Sequence, residues 1–79
     1  MMALNIAILQ DHLAMAERHI ASGNRVITRQ RQLINQLEAD GHDIRAARSL
    51  LAQFEDLQAL HLADRDRLLN EISSAQARH

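Results

Sequence analysis

Residues 38–43, Glu-Ala-Asp-Gly-His-Asp, are the one stretch of this 79-residue chain that strongly indicates an interruption between helices. Gly41 suits the position just after a helix, because glycine readily adopts the left-handed conformation that ends one. Asp43 suits the N-cap of the next helix, because its carboxylate can accept hydrogen bonds from free backbone N–H groups. The sequence therefore predicts a single helical hairpin, with a first helix over about 3–40, a turn at 41–43 and a second helix over about 44–76.

Mostly apolar residues recur on both sides of this break at alternating spacings of three and four. They occupy positions 6, 9, 13, 16, 20, 23, 27, 30, 34 and 37, then 44, 47, 51, 54, 58, 61, 65, 68, 72 and 75. This spacing is typical of helices that pack along a narrow seam, as in coiled coils. Because the pattern continues in phase through Gly23, we expect no break there. The predicted fold class is an all-α, coiled-coil-like antiparallel two-helix hairpin.

The composition favours helices and excludes several classes of protein. The chain has one Phe, no Trp, no Tyr and no Pro, which argues against β-sandwiches and against RNA modules that stack bases on aromatic rings. It has no Cys, so disulfides, thiolate zinc sites and thiol catalysis are excluded. A net charge of −1 gives no bulk attraction to nucleic acid or membranes.

Folding the chain back at Gly41 predicts which residues face each other. The expected seam pairs are Leu37 with Ala47, Ile34 with Leu51, Gln30 with Phe54, Ile27 with Gln58, Gly23 with His61, Ile20 with Arg65, Ala16 with Leu68, and Leu13 with Ile72. The expected flank pairs are Glu38 with Arg48 and Arg31 with Glu55 on one side, and His19 with Asp64 and His12 with Glu71 on the other. Exposed ion pairs contribute only ~0–1 kcal/mol each, so we expect them to align the helices more than stabilise them. Polar seam residues such as Gln30 and Gln58 are interpreted in the same way.

Apolar residues outside the seam predict self-association. The expected interface consists of Val26, Leu33, Leu50 and Leu57. Ile8 and Met15 extend that side, and Leu62 and Leu69 lie on the opposite flank. Because small helical scaffolds often gain stability by oligomerising, we expect a homodimer that forms a four-helix bundle. The alternative is that these are scattered exposed side chains.

Catalysis is not expected, and neither is a cofactor. The sequence has no glycine-rich phosphate loop, no G-x-S-x-G and no H-E-x-x-H, and its serines have no base at a suitable spacing. The apolar start of the chain lacks the charged region of a secretion signal, and no run approaches a membrane span. We therefore expect a cytoplasmic protein without a membrane partner.

Two sets of residues suggest ligands, and each also has an ordinary structural interpretation. His19, His61 and Asp64 are placed at one level by the predicted pairing and are candidate metal ligands; the alternative is a polar layer of histidine–carboxylate pairs. Arg18, Arg25 and Arg29 share an outer face that could contact RNA phosphates; the alternative is a solvated surface.

Residues 11–72 resemble a family of small uncharacterised proteobacterial helical-hairpin proteins. The resemblance is carried by HLAMAERHI at 12–20 with Gly23, LEADGHD at 37–43, Leu50-Leu51, Phe54, Gln58, and HLADRDRLL at 61–69. No activity is assigned to that family, so the resemblance implies no site residue. The sequence predicts a non-enzymatic, self-associating interaction or scaffolding module, which could also bind another protein. The alternatives are a dimeric hairpin that binds structured RNA and a metal-binding bundle.

Overall fold

A computed structural model describes residues 6–77 and contains two antiparallel helices in that part of the chain, with no strand. Helix α1 spans Ile6–Ala39 and helix α2 spans Arg45–Ala77. The observed ends differ by one residue from the predicted ends at 40, 44 and 76, and predicted residues 3–5 lie outside the described region. Helix α1 runs through Gly23 without interruption, as expected. Neither helix in residues 6–77 combines the length and hydropathy needed to cross a membrane.

The turn confirms the role predicted for Gly41. Its φ is +78°, a left-handed conformation that side chains with a Cβ adopt at a cost. The N–H of His42 donates to the carbonyl of Leu37 at 2.9 Å, and the N–H of Gly41 donates to that of Glu38 at 3.1 Å. These two bonds form a Schellman motif, which satisfies carbonyls at the end of α1.

Asp43 caps the start of α2, also as predicted. Its Oδ1 accepts a hydrogen bond from the backbone N–H of Arg45 at 3.0 Å. The guanidinium of Arg45 lies 2.7 Å from Oδ2. The side-chain hydrogen bonds from Arg45, and then its backbone bond, hold the pKa of Asp43 below its ordinary value of 3.8. The cap is therefore an ionised carboxylate over most of the pH range.

The seam predicted from the spacing is confirmed by burial. Every predicted seam position is buried or half-buried, and within residues 6–77 the one other position that is not exposed is Ala14. One tight cluster lies in the half of the hairpin away from the turn. It contains Leu9, Ala16, Leu68 and Ile72, with Leu13 packed against it.

Two of the predicted flank pairs are present, both near the turn. Arg31 Nη2 lies 2.9 Å from Glu55 Oε2, and Arg48 Nη2 lies 3.8 Å from Glu38 Oε2. Both pairs join α1 to α2 and are solvent-exposed. They confirm the predicted alignment of the helices in this half of the molecule.

The two flank pairs predicted at the other end are wrong. Arg67 binds both acids, with Nη2 at 2.6 Å from Asp64 Oδ1 and Nη1 at 2.8 Å from Glu71 Oε1. The hydrogen bond to Asp64, followed in size by the hydrogen bond to Glu71, raises the pKa of Arg67 above its ordinary value. Because Arg67 lies three residues after one acid and four before the other, it reaches both on one helix face. This local cation replaces His19 and His12 as the partner of the carboxylates.

Candidate interaction face and histidine cleft

Four apolar residues remain exposed together on one flank of the hairpin, which we call the leucine face. It consists of Val26, Leu33, Leu50 and Leu57. Val26 and Leu33 are seven residues apart, as are Leu50 and Leu57, so each pair lies on one face of its helix, and Val26 and Leu57 line the same cleft. The side chain of Leu57 is 51% exposed. The hairpin therefore presents apolar surface that its own two helices do not cover.

One further exposed apolar residue lies beside the leucine face and was not predicted from the sequence. Leu60 is 66% exposed, the largest value among the exposed large hydrophobic residues. It follows Leu57 by three positions, so the two are neighbours on the surface of α2. That spacing could have identified it, although Leu60 does not share the heptad position of Leu50 and Leu57. Ile8 and Met15 are also exposed, as expected for α1.

A cleft of about 280 Å³ opens beside the leucine face. Val26, Phe54 and Leu57 form its apolar wall, and His19 and His61 also line it. The cleft lies where Gly23 leaves α1 without a side chain. Its lining is mostly apolar, as in sites that bind side chains or small ligands.

Gln58 occupies the space next to Gly23. A Cβ on Gly23 would come within 2.7 Å of Gln58 Cδ, closer than such atoms approach in proteins. Gln58 Nε2 donates to the carbonyl of Ile20 and to Asn24 Oδ1, both at 2.9 Å. The sequence pairs Gln58 with Ile27, and the amide extends from there to Ile20 and Asn24; His61 lines the same cleft as its predicted partner Gly23. The buried amide reaches further along the seam because it needs hydrogen-bond acceptors there.

These bonds also orient the ring of His61. Since both hydrogens of Gln58 Nε2 point at oxygen atoms, Oε1 faces His61 Nδ1, at 3.3 Å. Oε1 can only accept, so Nδ1 carries the proton and Nε2 of the neutral ring has a free lone pair. The ring of His19 lies beside it, with centroids 5.3 Å apart and planes tilted by 42°.

The structure brings together two of the three candidate metal ligands. His19 and His61 are in contact, whereas Asp64 is bound by Arg67. Across residues 6–77, no group of three His, Asp or Glu side chains is arranged to hold a metal ion. Within residues 6–77, the site therefore offers the two imidazoles of His19 and His61.

The second buried amide, Gln30, binds the opposite helix in a similar way. Its Nε2 donates to the carbonyl of Ala47 at 2.9 Å, whereas the sequence paired it with Phe54. Within the described chain, no buried side-chain nitrogen or oxygen lacks a hydrogen-bond partner. Each of the two buried glutamines thus has a hydrogen bond to a backbone carbonyl of the opposite helix.

The candidate RNA-contacting arginines differ from the other arginines of residues 6–77. Arg18, Arg25 and Arg29 have no carboxylate within 4.0 Å. The remaining described arginines each have one: Arg31, Arg45, Arg48, Arg65 and Arg67. Arg25 instead donates from Nη2 to Ser22 Oγ at 3.1 Å. Three guanidinium groups of α1 are thus available to an external anion.

No family model matches the chain, and no curated protein or solved structure is similar enough to count as a match. The resemblance to small proteobacterial helical-hairpin proteins stays a prediction. The described residues form a two-helix hairpin with an apolar face and a histidine-lined cleft.

Proposed function

We propose that this protein is a non-enzymatic interaction module whose hairpins pair through the leucine face to form a four-helix bundle. The observation that carries the proposal is the joint exposure of Val26, Leu33, Leu50 and Leu57 beside an open apolar cleft. Apolar patches of this kind on small helical proteins commonly mark interaction sites.

The dimensions of the hairpin support a second copy as the partner. The Cα atoms span 62 × 15 × 15 Å, and two helices packed along one seam can bury only a narrow stripe. One long side of such a rod is large enough to supply the ~800 Å² per partner of a standard interface. Pairing two identical faces about a two-fold axis is also the commonest form of oligomer.

The test is a comparison of oligomeric states by sedimentation equilibrium at micromolar concentration. Wild type should be a dimer or larger assembly. Leu57→Glu should weaken association at least tenfold while helicity is retained, because the interface would bury an unpaired charge. Leu69→Glu is the matched control, since Leu69 is similarly exposed, at 46%, on the opposite flank. A monomeric wild type, or equal weakening by both substitutions, would contradict the proposal.

A second candidate function, binding of structured RNA, is favoured by Arg18, Arg25 and Arg29, whose guanidinium groups have no carboxylate of residues 6–77 within 4.0 Å. Such contacts predict affinity that falls steeply with salt. Replacing all three with Gln should abolish retention of a stem–loop RNA. The same change at Arg31, Arg45 and Arg48, which removes equal charge from paired arginines, should reduce it less. Absence of binding by wild type at low salt would remove this candidate.

A further inference from the structure

The spacing of His19 and His61 is compatible with two imidazoles that share one metal ion. Their ring centroids are 5.3 Å apart. A tetrahedral Zn²⁺ with Zn–N bonds of ~2.0–2.1 Å would place the centroids of two of its imidazole ligands about 5 Å apart. The observed separation of the two centroids therefore matches that of two imidazoles on one ion.

The hydrogen bonds of Gln58 prepare His61 to act as a ligand. Histidines that bind metals usually donate their second ring N–H to a neighbouring oxygen, which fixes the tautomer and the ring orientation. Gln58 Oε1 is such an oxygen, at 3.3 Å from His61 Nδ1. The amide is itself held by Ile20 and Asn24. Nε2 of His61 is thus left as a lone-pair donor whose orientation is already set.

Residues 6–77 of one chain do not complete a zinc site, because structural zinc has four ligands. In residues 6–77 no third His, Asp or Glu converges on the pair, and Asp64 is bound by Arg67. The missing ligands must come from another source. Both histidines line the cleft that opens beside the leucine face, where the proposed second copy packs. A two-fold axis close to this cleft would bring the same two histidines of that copy to the opposite side of the ion.

We propose that His19 and His61 form half of a site for a borderline divalent cation such as Zn²⁺, and that the same pair of a second copy completes a four-histidine site. This inference rests on the proposed self-association. The site would link metal binding to assembly, since the ion would bind the dimer more tightly than the monomer.

The experiment is a zinc titration of the untagged full chain in competition with a chromophoric chelator. Wild type should bind one ion per two chains. His19→Gln and His61→Gln should each lower the affinity at least tenfold. His12→Gln is the matched control, because His12 lies on the same flank of α1 one heptad earlier and should leave the affinity unchanged. Sedimentation of each variant in EDTA reports assembly without metal.

The outcomes separate this site from the proposed function. If wild type is a dimer in EDTA and its zinc affinity is unchanged by His19→Gln and by His61→Gln, the site is overturned. The self-association then stands. A monomer in EDTA that dimerises with zinc, and loses this response in both variants, would support the site and overturn metal-independent association. Binding of one ion per chain that is not weakened by Leu50→Glu, a change on the leucine face but outside the cleft, would overturn completion of the site by a second copy.

Discussion

Gln58 lies across the space that a side chain on residue 23 would need. Gly23 lies within α1, and its φ is not positive. Within the described chain, Gly41 is the one residue with a positive φ. Glycine inside a helix costs ~0.5–1 kcal/mol relative to alanine. At this position that cost is offset by two hydrogen bonds from a Gln58 side chain that is only 6% exposed. The absence of a Cβ on one helix thus allows a buried amide on the other.

Gly23→Ala should destabilise the hairpin by about 1 kcal/mol, although the same change elsewhere in a helix stabilises it. Displacing Gln58 would lose two hydrogen bonds of ~1 kcal/mol each, against a gain of ~1 kcal/mol in helix propensity. Urea unfolding followed by circular dichroism measures the difference. In a Gln58→Ala background the sign should reverse, and Gly23→Ala should stabilise. The same sign in both backgrounds would contradict this account.

Gly41→Ala should cost about 1–2 kcal/mol of stability, the penalty for a left-handed residue with a Cβ. The cost is conformational alone, because no atom lies within 4 Å of the position where a Cβ would be. Gly41→Asn is the control and should cost less, since asparagine tolerates this conformation better. Thermal unfolding of the two variants gives the comparison, and equal melting temperatures would argue against the predicted cause.

Asp43→Asn tests the charge of the cap, because asparagine also caps helices but cannot ionise. The pKa of Asp43 is lowered in the folded chain. Its carboxylate therefore stabilises the fold above the unfolded pKa, and this contribution is lost as pH falls through the folded pKa. The advantage of wild type in melting temperature should be constant near neutral pH and disappear below the ordinary value of 3.8. A melting-temperature advantage of wild type that grows as pH falls would contradict the predicted direction of the pH dependence.

Cysteines at Ile34 and Leu51 should form a disulfide readily in a chain that has no cysteine of its own. The ion pairs of Arg31 with Glu55 and Glu38 with Arg48 flank this layer on both sides along the hairpin. Cysteines at Ile34 and Gln58 should not cross-link, because a heptad corresponds to about 10 Å along a helix and a disulfide needs Cα atoms within ~7 Å. Mass spectrometry of the monomer band after oxidation measures both. Equal yields would show that the helices slide.

The hairpin, its turn and its seam could be predicted because each depends on local residue properties. The spacing of apolar residues identifies the buried side of each helix, and Gly41 and Asp43 have conformational and capping preferences of their own. The polar contacts were harder to predict. Gln58 could reach several levels of the seam, and which one it occupies depends on the carbonyl of Ile20 and the space beside Gly23. Likewise, the predicted pair of His19 with Asp64 depended on complementary charge alone. In the structure, the nearby Arg67 binds that carboxylate.

The two buried glutamines also determine how the helices can move against each other. Gln30 of α1 donates to a backbone carbonyl of α2, and Gln58 of α2 donates to a backbone carbonyl of α1. Sliding one helix by a single residue, about 1.5 Å, would disturb both bonds at once. The two hydrogen bonds thus oppose slippage of the helices at two separate levels of the seam, and each helix donates one of them. A second copy that binds the leucine face would meet a surface of fixed shape, and association would not have to begin by ordering it.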